Sequence, residues 1–105
     1  MSLDVTILND SDDVWSGNIT HNLADMAAAA GVYDAVWRPD EHGFDAASVL
    51  TAIAGGLTTL LLHRERFELL NPTNGWGDYD ALVMFLAEYA LELSKYPHAT
   101  IEVSR

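Results

Sequence analysis

The chain has no cysteine, one lysine, three prolines and no apolar run near the ~20 residues that a membrane span requires. Without cysteine there is no disulfide, no thiolate nucleophile and no Cys-ligated zinc or iron–sulfur site. Basic charge is also scarce: 5 Lys and Arg stand against 16 Asp and Glu, a net charge of −11 at pH 7. Sequence-independent nucleic-acid binding releases counterions to a cationic surface, so direct nucleic-acid binding is not expected. The opening MSLDVTILND is acidic and lacks the basic-then-apolar layout of an export signal; a cytoplasmic protein with no membrane partner is expected. No phosphate loop or nucleophile elbow occurs. His21, His42, His63 and His98 lie far apart, without metal-ligand spacing, so no cofactor and no metal are expected.

What is present is a regular pattern over 105 residues, half of them hydrophobic, suited to a single domain over 1–105. Leu3, Val5 and Ile7 alternate with Asp4 and Thr6, which predicts a strand with one buried face. Asn9–Asp13, NDSDD, is dense in turn formers, and Val14–Ile19 follows as a second strand with Trp15, Gly17 and Ile19 on one side. The hairpin feeds a helix over Thr20–Ala30, with Thr20 or Asn22 as its cap and Leu23, Met26, Ala27 and Ala30 as its apolar face. Gly31 is placed to end that helix in a left-handed conformation, with Val32 folded back. Pro39 is expected to force the chain extended into a polar loop, PDEHGF, that Asp45 closes as a helix cap.

From Ala46 to about His63, Val49, Leu50, Ile53, Leu57, Leu60 and Leu61 form a broad apolar stripe. Gly55 and Gly56 in mid-helix disfavour it by about 0.5–1 kcal/mol each relative to alanine, which suggests close approach of a neighbour or a kink. Arg64–Leu70 continues helically with Phe67 and Leu70 inward, and NPTNGWG is a loop. Asp78 caps a last helix carrying Leu82, Phe85, Leu86, Tyr89 and Leu93. Ala99–Ser104 returns as a strand, with the N-terminal hairpin as its available partner. The expected fold is α+β: a three-stranded antiparallel sheet (N-terminal hairpin plus C-terminal strand) covered by about three helices, in the order β-β-α-α-α-β. Such a sheet has two edges, and association through it would give a twofold homodimer, opposed by the net charge.

Some residues exceed what element boundaries require. His21 and Asn22 sit at a strand-to-helix junction, where main-chain N–H groups can hold an anion. Arg38 offers a forked donor to phosphate or carboxylate, and Tyr33, Trp37, Trp76 and Tyr79 offer rings for stacking. Asn74 and Gly75 can bring backbone close to a ligand. Together His21, Asn22, Tyr33, Trp37, Arg38, Asn74, Trp76 and Tyr79 suit a nucleotide-like ligand. A purely structural account has Asn22 as a cap, the two tryptophans as anchors and Arg38 paired with Asp34 or Asp40.

The blocks Ser16–Ala27 (SGNITHNLADMA), Ala30–Pro39 (AGVYDAVWRP), Asn71–Phe85 (NPTNGWGDYDALVMF) and Tyr96–Arg105 (YPHATIEVSR) cover much of the chain. They resemble a family of short uncharacterised proteins scattered through bacteria and their phages, whose members read ITHNL, then ALWRP, then NGWG before the last helix. Val36 departs from that pattern, where leucine is expected, and the middle section is short and poor in lysine. The resemblance implies a shared fold and a mobile-element setting. It implies no activity.

Three functions fit these residues. The first is a non-catalytic binding protein whose patch, formed where ITHN, WRP and NGWG converge, takes a nucleotide-like ligand or a host protein. The second is an acidic interaction module or inhibitor that docks on a basic partner. The third is a hydrolase with His21 oriented by Asp25 and Ser16 or Thr20 as nucleophile.

Overall fold

The computed structural model describes residues 1–105. Strand β1 (Ser2–Asn9) runs down the middle of an antiparallel sheet, between β2 (Asp12–Thr20) and β3 (Thr100–Ser104). Its alternation buries Leu3, Val5 and Ile7 and leaves Asp4 exposed. Because β3 adds beside β1, the Val14–Ile19 segment of β2 lies at one edge and β3 at the other.

The hairpin turn is tighter than the NDSDD run suggests. Asp10 and Ser11 alone form it, at φ values of 53° and 69°. Two consecutive left-handed residues match the twist of the flanking strands, the geometry of two-residue hairpins. The surplus residue appears inside β2 instead. Ile7 pairs with Trp15 but Leu8 pairs with Asp13, so Val14 is a β-bulge.

At the end of β2 the cap is Thr20, not Asn22: the Thr20 hydroxyl accepts the Asn22 N–H at 3.3 Å. The expected helix begins as a 3₁₀ turn over His21–Leu23 and becomes α1 over Ala24–Ala29. Gly31, at φ 82°, ends it as expected. The Gly31 N–H donates to the Ala28 carbonyl at 3.0 Å and the Val32 N–H to the Ala27 carbonyl at 2.9 Å, which turns Val32 into the core.

From Pro39 onward the chain is helical where extended backbone was expected. Helix α2 (Tyr33–Trp37) is followed by α3 (Pro39–His42), with Pro39 at its first position. There the missing N–H has no intrahelical role and the fixed φ suits a helix. The restriction that proline places on its predecessor falls on Arg38, at φ −137° and ψ 45°, which becomes the joint between the two helices. Only Gly43 and Phe44 remain of the polar loop before Asp45 caps α4 (Ala46–Leu62) through the Ser48 N–H at 2.8 Å.

Helix α4 buries Val49, Ile53, Gly56 and Leu60. Of its paired glycines only Gly56 is approached: a Cβ there would lie 2.1 Å from Cγ1 of Val32, whereas Gly55 faces open space. Leu61 continues the stripe in sequence but is 62% exposed, and Leu62 is 74% exposed, because α4 runs beyond its cover. Helix α5 (Arg64–Glu68) buries Phe67. Leu70 is exposed rather than inward, since the chain has already left the helix and turned toward Asn71.

Helix α6 (Tyr79–Lys95), capped by Asp78 through the Ala81 N–H at 2.8 Å, packs on α4 and β2 with Leu82, Phe85, Leu86, Tyr89 and Leu93 inside. Trp15 of β2 stacks on Tyr89 at 5.3 Å between ring centroids. The Tyr89 hydroxyl is buried without a hydrogen-bond partner, and burial pushes its ionisation well above the ordinary tyrosine range. The helices thus cover one face of the sheet. Its other face, with Asp4, Ser16, Asn18 and Glu102, is open. No helix is long and apolar enough to cross a membrane.

Candidate functional site

The residues singled out in the sequence, Tyr79 excepted, fall into two groups that meet at residues 20–22. The first is built around Trp37, the last residue of α2, which is 2% exposed. Its indole N–H donates to His21 Nδ1 at 2.9 Å, joining the 3₁₀ turn to α2. Tyr33, one helical turn earlier, stacks on Trp37 at 5.6 Å with 10° between the rings. Arg38 Nε donates to the Tyr33 hydroxyl at 3.2 Å, and its Nη1 forms an ion pair with Glu41. These hydrogen bonds, the one to Tyr33 foremost and then the one to Glu41, raise the Arg38 pKa above its ordinary value.

Arg105, just after β3, reaches the same corner. Its Nη1 donates to the Trp37 carbonyl at 3.0 Å and to Asp40 Oδ1 at 2.9 Å, while Nη2 donates to Asp40 Oδ2 at 3.2 Å. This fork-on-carboxylate contact lowers the Asp40 pKa below the usual aspartate range. The partners therefore differ from those the sequence suggested. Arg38 pairs with Glu41, Asp40 takes Arg105, and Asp34 faces His42 at 3.4 Å.

His21 is oriented by Trp37 rather than by Asp25. With Nδ1 accepting, a neutral His21 carries its proton on Nε2. Thr20 uses its hydroxyl as the helix cap, and Ser16 lies on the open face of the sheet. No group of three His, Asp or Glu side chains gathers closely enough to hold a metal ion.

The second group surrounds a cavity of about 370 Å³ lined by Met1, Ser2, Asn18, Thr20, Asn22 and Trp76. Trp76 is 70% exposed. Its loop is held firmly: the Asn74 side chain accepts the Trp76 N–H at 2.9 Å, and Gly75 and Gly77 take φ values of 78° and 90°. Gly77 lies against the ITHNL segment, where an added Cβ would sit 2.7 Å from Thr20 Cγ2 and 3.1 Å from Leu23 Cδ1. That contact brings the NGWG and ITHN segments together. Asn74 takes part only as the brace of the turn, and Tyr79 does not join the cavity. Tyr79 is buried, donates its hydroxyl to the Leu60 carbonyl at 2.7 Å and lies under the Arg64 guanidinium, 4.8 Å from the ring centroid.

The cavity also contains residues that the sequence reading passed over. Asn18 Nδ2 donates to Ser2 Oγ at 2.8 Å and to Asp4 Oδ1 at 2.7 Å, which fixes its side chain. Asn18 also belongs to a second depression of about 420 Å³ on the open sheet face, with Asp4, Thr6, Ser16 and Gly17. The period-2 alternation that places Leu3, Val5 and Ile7 inward places Ser2, Asp4, Ser16 and Asn18 together outward, and that was the available signal. No family model, no curated protein and no solved structure matches this chain. Its chemistry is therefore read from its own side chains.

Proposed function

We propose that the protein is a small non-catalytic binding protein whose ligand stacks on Trp76 and hydrogen-bonds to Asn22, Thr20 and Asn18. One observation carries this reading: a large indole stands exposed beside a cavity lined also by Ser2, Asn18, Thr20 and Asn22, on a loop whose turn is braced by Asn74. Exposed aromatic faces beside amide and hydroxyl groups suit a flat polar ring, whether a nucleobase or a sugar. The lining has no guanidinium, and Arg38 is engaged by Tyr33 and Glu41, so a phosphate on the ligand adds little.

A thermal-shift panel of nucleosides, mono- and cyclic nucleotides and simple saccharides tests the proposal. A true ligand at 100 times its Kd stabilises the fold by about 2.7 kcal/mol, and Trp76→Ala abolishes the shift. A flat response across both chemical classes refutes it.

A second reading, docking on a basic partner, draws support from the exposed Asp10, Asp12 and Asp13 at the hairpin tip. It predicts binding that weakens steeply with salt and survives Trp76→Ala.

A further inference from the structure

We infer that the end of α4 together with α5 forms a self-complementary surface through which two copies of this chain pair about a twofold axis. Four leucines within ten residues are exposed there: Leu61 by 62%, Leu62 by 74%, Leu69 by 86% and Leu70 by 43%. Water-exposed apolar side chains in this concentration mark an interaction surface. Two of them, Leu61 and Leu62, line an open depression of about 520 Å³ together with His63, Arg64, Glu65 and Arg66.

Charge selects the partner. Between Leu61 and Leu70 two arginines and two glutamates cancel, so the net charge of −11 is carried entirely by the rest of the chain. Contact between two copies through the hairpin tip or the outer face of the sheet sets carboxylates against carboxylates; contact here does not. Among the five Lys and Arg side chains, Arg66 alone has no ion pair within the protein, and its neighbour Glu65 has none either. A twofold contact apposes a patch with itself, so the leucines meet leucines and Arg66 of one copy reaches Glu65 of the other.

Sedimentation velocity from micromolar to millimolar protein, at low and high salt, tests the inference. The expected wild-type behaviour is a shift from 11.5 kDa toward twice that mass with rising concentration, stronger at high salt as the net charge is screened. Leu62→Glu and Leu69→Glu should each weaken the dimer at least tenfold while circular dichroism stays unchanged. Arg66→Glu should weaken it as well, and adding Glu65→Arg should restore it; this swap decides the matter if a leucine variant misfolds. Trp76→Ala should leave association intact, which separates this surface from the ligand cavity. A monomer throughout, or a dimer indifferent to the leucine variants and the charge swap, overturns the inference.

Discussion

Trp37 and Trp76 occupy similar sequence settings, each near a glycine or proline turn between helices, and the fold treats them oppositely. Trp37 is sealed: its ring is packed on Tyr33, its N–H is used by His21 and its carbonyl by Arg105. Around it every charged group finds its counterpart within the chain. Trp76 is held by its backbone while its ring stays in water. The Trp37 corner thus specifies the fold, by tying the 3₁₀ turn, α2, α3 and the end of β3 to one another. The Trp76 loop specifies the position of a surface that the fold itself does not consume.

Substitutions should separate the two regions cleanly. Trp37→Ala removes a buried indole and orphans His21, so a loss of about 3–5 kcal/mol is expected in urea denaturation, a large share of a small domain's stability. Gly77→Ala lies between the regions: it combines a φ of 90° with a clash on Thr20. A cost of about 1–3 kcal/mol is expected, together with loss of ligand response as the loop lifts from residues 20–23. Equal stability of this variant and wild type would show that the loop is not braced as described.

The Asp40–Arg105 contact gives a smaller, pH-dependent effect. Because the folded-state pKa of Asp40 is depressed, its contribution is present above the unfolded value of roughly 3.9 and fades as pH falls through it toward the folded value. Asp40→Asn should flatten that part of the stability profile in acid and leave the ligand cavity untouched. The smallest effect on stability belongs to Trp76→Ala, expected within about 0.5 kcal/mol of wild type in the same denaturation series. A large loss there would move Trp76 into the structural class and remove the basis for the ligand proposal.

The sheet and the two long helices were legible because their burial follows simple periods, as with Leu3, Val5 and Ile7 or with Leu82, Phe85 and Leu86. So were the caps at Asp45 and Asp78 and the left-handed Gly31. The stretch from Pro39 to His42 was misread because proline has two meanings, ending a helix at one position and opening one at the next. The excess of polar and aromatic residues in ITHN, WRP and NGWG was visible as well. Its division into a sealed corner and an open cavity was not, since the Trp37–His21 and Arg105–Asp40 contacts join residues 16 and 65 positions apart. Sequence spacing carries no information on such pairs, whereas the outward set of Ser2 and Asn18 could have been found from strand alternation alone.

The bulge at Val14 has a consequence for how copies of this chain add to one another. Extension strand by strand through a sheet has no built-in end, and a long straight edge invites it. Here one edge is kinked by the bulge beside the Asp12–Asp13 pair, and the other, β3, is only five residues long and is followed at once by the arginine clamped to α3. Growth into filaments therefore has only the Trp15–Thr20 stretch of β2 and the short β3 as regular edges, each flanked by a feature that interrupts the ladder.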